Sequence, residues 1–369
     1  MKTTSILDHF STLEDPRQSW KVLYPLPEIL LVVLCGVMAG ADDFVEIERW
    51  GRRKLEYLRR LLPFKDGICS HDTLNDVMNA LPGELFGECF TNWVSALRDQ
   101  DPEIVAIDGK TSRRAHARNG RRLHLVSAWA SRQRLVLGQE PCDEKENEIS
   151  AIPRLLQRLE LTGSLVTIDA MGCQYDIASA LLVKGADYLL ALKGNQKSLH
   201  SEVALFFDVA RDLDTHTTTD ADHGRIETRR ACVCHAVDWL NADRAAPGEP
   251  RFAGLTTIGM VEAEVEKDGQ TSRSRRFYIS SAHLSAAQLS RAARAHWGIE
   301  NRLHWVMDVV FHDDLMRLRT QNGPANMALI RHTVLNIIKQ IPDKASIKVR
   351  RKTAAWDDEY LFSAITNAG

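Results

Sequence analysis

Asp108 and Asp169 each follow a short apolar run, residues 104–107 and 165–168. Carboxylates at strand ends in an α/β sheet stand where such sheets bind ligands. A third acid, Glu300, lies in His296-Trp297-Gly298-Ile299-Glu300-Asn301-Arg302-Leu303-His304-Trp305. At helical spacing Glu300, His304 and Asp308 share one face, and a polar stripe on a segment rich in Trp, Leu and Val needs a reason. Three carboxylates from separate elements can hold two magnesium ions roughly 3.5–4 Å apart, one activating the attacking oxygen of phosphodiester chemistry and one stabilising the leaving oxygen. Each acid also has an ordinary reading. Asp108-Gly109 is a turn dipeptide, Asp169 before Ala170-Met171-Gly172 can open a turn, and Glu300 can be a helix-surface acid. Taken singly the ordinary readings are the stronger; the order of elements favours the joint one.

Rival chemistries fit less well. Gly109-Lys110-Thr111 resembles the end of a phosphate-binding P-loop, but position 104, where that loop needs Gly, is Ile. A phosphatase-type pair of aspartates would need an acid at position 106, which is Ala. Cys232-Val233-Cys234-His235 offers half a zinc site with no second pair at a suitable distance. Ser70-His71-Asp72 is better read as a helix cap than as a triad, whose members come from separate segments. Seven cysteines without a regular framework fit reduced thiols in a cytosol.

The formal net charge of −2 says nothing about nucleic acid. Local charge says more: residues 110–134 hold eight Lys or Arg and no acid, and a second basic stretch closes the chain. Such clusters can neutralise phosphates or form a solvated surface. The opening residues lack the apolar core of a cleavable leader. The strongest apolar run, 29–41, is too short for a spanning helix, which needs about 20 residues, so no membrane association is expected.

Positioning these residues falls to the elements around them. Residues 1–100 read as an all-helical domain, with helices over 29–41, 44–62, 70–78 and 86–97. After Asp101-Pro102 come strands at 104–107, 123–130 and 135–138, a helix over 149–159, a strand at 165–168, a helix over 174–184 and a strand at 188–192. Strands followed by alternating helix and strand describe a mixed α/β sheet. Residues 212–283 read as a β-rich insertion. Helix returns at Ser285, where Gln288 completes a capping box, and continues with a kink near Gly298 to Phe311. A last helix over 324–341 precedes a basic tail. The domains expected are therefore 1–100, 101–211, 212–283 and 284–369.

The ordered set of motifs resembles the DDE transposases of bacterial insertion sequences, in the H-repeat-associated branch. The matching stretches start at Asp8-His9-Phe10 and run through Ala106-Ile107-Asp108-Gly109-Lys110, Asn147-Glu148-Ile149, Thr167-Ile168-Asp169-Ala170-Met171, Lys193-Gly194-Asn195-Gln196 and 223–229 to 296–305. The resemblance implies a ribonuclease H-like mixed-sheet core with an inserted β segment, preceded by the all-helical N-terminal domain, which would help bind the transposon ends. It implies Asp108, Asp169 and Glu300 as catalytic and metal-binding carboxylates and Mg2+ as cofactor with Mn2+ a substitute, while His304 and Asp308 are candidate auxiliaries in place of residues the family pattern carries. Related enzymes often carry a Tyr and Arg before the Glu and a Lys after it; Ala293 and Met307 stand seven residues either side of Glu300, so that pattern is not matched.

The expected partners are double-stranded DNA at terminal inverted repeats, target DNA, and a second copy in a synaptic complex. The expected location is the cytoplasm, on the nucleoid when DNA is bound. Lys110, Arg113, Lys193, Asn195, His223, Arg225 and Arg229 are candidate DNA contacts; a capping loop at 193–195 and a merely polar strand face at 223–229 are the alternatives. Trp297 and Trp305 could stack on a displaced base, though Trp at helical spacing more often belongs to a core. The function implied is cleavage and joining of transposon-end phosphodiesters. A domesticated, non-catalytic DNA-binding protein and a nuclease without strand transfer are the alternatives.

Overall fold

The computed structural model describes residues 5–99, 101, 103–116, 122–142, 147–222, 225–241 and 252–367. The chain divides into two units, one of Met1–Gln100, Gly109–Asn147 and Glu300–Gly369, the other of Asp101–Asp108 and Glu148–Ile299. No helix among the described residues is long and apolar enough to cross a membrane.

The first unit opens with α1 (Ile6–Ser11), α2 (Leu26–Met38), α3 (Phe44–Arg53), α4 (Leu55–Leu58), α5 (His71–Ala80) and α6 (Gly83–Leu97). Ser70 caps α5, its hydroxyl accepting from the Thr73 amide at 3.3 Å, as its type and place suggested. The helix expected over 44–62 is broken at Lys54 into α3 and α4. A long strand, β1 (Ile104–His116), crosses from the second unit into the first, where β2 (Arg122–Ala130) and β3 (Leu135–Pro141) form an antiparallel pair.

The second unit contains α7 (Glu148–Arg158), β4 (Leu165–Ile168), α8 (Tyr175–Val183), β5 (Asp187–Leu192) and α9 (Lys197–Val209). There follow β6 (Asp214–Asp222), β7 (Arg225–Cys234), α10 (Asp238–Asn241), β8 (Thr257–Lys267), β9 (Gln270–Ser280) and α11 (Ala286–Ile299). β1, β4 and β5 are parallel. β6 to β9 form an antiparallel meander, and β9 pairs with β5, so the β-rich segment extends the sheet. Read through β1, the strand order is β3-β2-β1-β4-β5-β9-β8-β7-β6, a large mixed sheet. α9 has no counterpart in the sequence reading.

Back in the first unit, a π-helical turn (Glu300–His304) leads to α12 (Trp305–Val309), α13 (Gly323–Gln340), α14 (Ile347–Trp356) and α15 (Asp358–Thr366). α13 is buried along most of its length and packs on α2, α5, α6 and β3. Its buried Asn336 mimics a strand partner, accepting from the Val136 amide and donating to the Val136 carbonyl, both at 2.9 Å. That closes both polar groups in a place where an unmade bond would be costly. The basic tail is folded: Arg351 of α14 is 6% exposed and donates to the carbonyls of Val310 and, at 2.7 Å, Val37. Burial pushes its pKa down to about 10.

Candidate active site

Parallel pairing of β1 with β4 sets Ile107 opposite Ile168, so Asp108 and Asp169 are the next residues of neighbouring strands. The apolar runs before them explain this register, because Val105, Ile107, Val166 and Ile168 are all buried. One expectation changes: β1 does not end at Asp108 but continues to His116, so Asp108 lies within β1, at the point where it leaves β4. The sequence hid this extension because residues 109–116 are mostly polar; Ser112 and Ala115 face inward and Arg113 and Arg114 outward.

Asp169 opens a turn. Its Oδ1 accepts from the amides of Met171 at 2.9 Å and Gly172 at 3.4 Å, which fixes the carboxylate. Oδ2 takes no hydrogen bond among the described residues. The turn depends on Gly172: a Cβ there would lie 2.3 Å from Ile168 Cγ2 and 3.1 Å from Ile152 Cδ1. The segment after β5 braces the same turn. Asn195 Nδ2 donates to the Ala170 carbonyl at 2.6 Å and Gln196 Nε2 to the Cys173 carbonyl at 3.0 Å. Asn195 thus serves as a loop tie, while Lys193 is exposed.

α11 begins at the expected capping box, Ser285 and Gln288 exchanging bonds of 2.8 and 3.3 Å. Near its end, His296 Nδ1 lies 3.1 Å from the Thr167 hydroxyl on β4, one turn before Glu300. Burial lowers the His296 pKa against the opposing pull of Asp169. No local pattern marks the Thr167 contact, which joins residues far apart in the chain.

The expected kink at Gly298 is a π turn that starts two residues later, at Glu300. Such turns widen a helix locally and often occur at functional sites. Within it, His304 Nδ1 is 3.5 Å from Glu300 Oε2; the histidine side chain is 7% exposed and the glutamate 53%. Burial pushes His304 down to about 4, despite the opposing charge of Glu300. Trp297 and Trp305 are not core residues: they are 47% and 56% exposed. The Arg276 guanidinium sits 4.5 Å from the Trp297 ring centroid, a cation–π distance.

Lys110 and Asp308 hold positions other than those expected. Lys110 Nζ contacts Asp308 directly and lies 3.5 Å from Asp313 and 3.8 Å from Asp314. Its side chain is 16% exposed, so it is no open phosphate contact. Burial works against its charge, but Asp313, Asp308 and Asp314 outweigh that and hold its pKa up. Burial raises the Asp308 pKa, with Lys110 opposing. Asp308 therefore spends its charge on Lys110. Beside this cluster lies a cavity of about 20 Å³ lined in part by Lys110, His304, Asp313 and His332. His332 is 5% exposed and burial pushes it down to about 4.

The remaining candidate DNA contacts are spread out. Arg113 is exposed and paired with Asp314 at 3.0 Å. On β7, Arg225 meets Glu227 at 3.0 Å, and Arg229 meets Glu227 at 2.7 Å and Asp220 at 3.3 Å. That strand face is largely neutralised from within. His223 lies outside the described residues.

Comparison with known proteins adds an independent line. Residues 7–94 match the family model described as DDE_Tnp_1-associated, and residues 99–337 match the one described as Transposase DDE domain. The "H repeat-associated putative transposase YhhI" of Escherichia coli strain K12 is 36% identical, over 100% of this chain and 100% of that one. The "Putative transposase YncI" of Escherichia coli O157:H7 is 37% identical, over 100% of this chain and 96% of that one.

Proposed function

We propose that this chain, which belongs to the DDE transposase family of bacterial insertion sequences, cleaves and joins phosphodiesters at transposon ends with Asp108, Asp169 and Glu300 as its catalytic carboxylates. The observation that carries the reading is the register of β1 and β4, in which Asp108 and Asp169 directly follow the paired Ile107 and Ile168. The path of α11 supports it: the helix packs on β4 through His296 and runs without a break into Glu300.

The donor set fits a hard divalent cation. All three groups are carboxylates, which suit Mg2+ or Mn2+ better than softer metals, and Asp169 keeps one oxygen outside its turn. When bound, two such ions lower the cost of charge build-up on the attacked phosphate. The protein's own part is to hold the donors still. Backbone amides fix Asp169, and His304, neutral near pH 7 because of its burial, stands against Glu300. The substrates in this reading are double-stranded DNA at terminal inverted repeats and target DNA, bound by two copies in a synaptic complex.

The test is incubation of the purified full chain with Mg2+ and a duplex bearing the element's end. Strand cleavage followed by joining to a second duplex supports the proposal. Cleavage without joining would assign a nuclease on the same core, and binding without cleavage a domesticated DNA-binding protein.

A further inference from the structure

In the first unit, an open recess of about 410 Å³ is lined, among the described residues, by Arg113, Arg114, Arg122, Arg317 and Arg319. Two of its walls come from β1 and β2. The third is the segment between Leu315 and α13, far away in sequence. Among the described residues only Arg113 has an acidic partner, Asp314. The other four side chains make no ion pair or hydrogen bond among the described residues.

Five guanidinium groups with Asp314 as their one acidic partner among the described residues repel one another. We propose that this recess grips the sugar-phosphate backbone of duplex DNA without reading its sequence. Guanidinium is the side chain best suited to paired hydrogen bonds with phosphate oxygens. Five of them around an open recess exceed what one phosphate can accept, so a run of phosphodiesters fits better than a free phosphate. Arginine can also read guanine edges, but five of them converge on one open recess with no amide or aromatic side chain among the described lining residues, which suits contacts that position rather than specify. Asp314 also lies 3.8 Å from Lys110, so the residue that orients Arg113 is tied into the buried cluster beside His304. The inference rests on the transposase reading for its substrate and extends it to residues outside the carboxylate set.

The experiment is anisotropy binding of the full chain to two labelled duplexes, one with the element's end and one unrelated, across a range of KCl concentrations. The triple variant Arg114→Gln, Arg317→Gln, Arg319→Gln should give a plot of log K against log salt shallower by about 2.7, which is three lost phosphate contacts at about 0.9 each. At about 0.15 M salt that corresponds to roughly 100-fold weaker binding, equal for both duplexes. Lys344→Gln, Lys348→Gln, Lys352→Gln removes the same charge elsewhere and should leave the slope nearly unchanged. An unchanged slope in the folded arginine variant, or an equal change in the lysine variant, overturns the site while the proposed chemistry stands. Loss confined to the element's end overturns sequence neutrality. The expected slope change in the arginine variant, with a wild type that never cleaves the element's end, would overturn the chemistry and leave this site in place.

Discussion

Replacing Lys110 with Met separates a buried structural cation from a surface phosphate contact. Methionine keeps most of the apolar stem of lysine and removes the ammonium with its charge and its three donors. The ammonium it replaces is 16% exposed and faces Asp308, Asp313 and Asp314, which are 31%, 10% and 15% exposed. Breaking a fully buried ion pair from one side costs about 3–5 kcal/mol, because the partner stays charged in a poor solvent for charge. Here the cost is smaller. Asp308 is partly solvated, Asp313 keeps Arg331 at 3.0 Å and Asp314 keeps Arg113 at 3.0 Å. About 2–3 kcal/mol remains. A surface lysine would cost no more than about 0.5 kcal/mol.

Urea unfolding followed by circular dichroism measures the difference. pH gives a second signature. The Asp308 pKa is already raised by burial and rises further without Lys110, so the folded variant takes up a proton at a higher pH than the unfolded chain does. The deficit of Lys110→Met should therefore shrink as pH falls through that raised value. In the wild type, the elevated Lys110 pKa makes its contribution complete below the ordinary lysine value and lost only as pH rises through the folded one. A loss below 0.5 kcal/mol, independent of pH, would refute the assignment of Lys110 to a buried network.

Two further outcomes follow from the same geometry. Gly172→Ala should lower stability by about 1–3 kcal/mol, since its methyl group collides with the stiff side chain of Ile168, and should cut end cleavage as well; thermal unfolding and cleavage rates equal to wild type would show that the turn tolerates a side chain. His304 and His332 are buried neutral with pKa values near 4, below the ordinary 6.5, so the unfolded chain binds their protons first. Stability should fall as pH drops from 6.5 toward 4, and His332→Leu should flatten that fall in a pH series of urea midpoints.

The sequence disclosed the parts of this protein that depend on apolar runs. β4 emerges over Leu165–Ile168 because four consecutive residues suit a strand covered on both faces. The cap at Ser70 and the capping box at Ser285 were legible because their side-chain chemistry is local. Three features were not. The polar half of β1 has no apolar alternation, and its strand form depends on β2 beside it. α9 carries Leu199, Val203 and Phe207 at helical spacing, but the exposed Leu205 and Val209 blur that stripe. α14 and α15 lay hidden in a stretch that reads as a charged tail, although Ser346 and Asp357 mark both starts. Among the candidate site residues, Asp169 could be placed from local pattern at the end of β4, whereas Asp108 could not, because β1 runs on past it. The pairing of Lys110 with Asp308 joins residues 198 positions apart, and no local rule reaches that far.

The most direct measurement is the single-turnover rate of strand cleavage at the element's end in Mg2+, for the wild type and for Asp108→Asn, Asp169→Asn and Glu300→Gln. Each variant conserves shape and removes one negative charge, so each should fold and bind DNA normally. Losing one preorganised electrostatic contribution to a phosphoryl-type transition state costs about 10²–10³ in rate, and each variant should lose at least that much. A folded variant at any of the three positions that cleaves within about tenfold of wild type, a difference of about 1.4 kcal/mol in the barrier, would contradict the assignment.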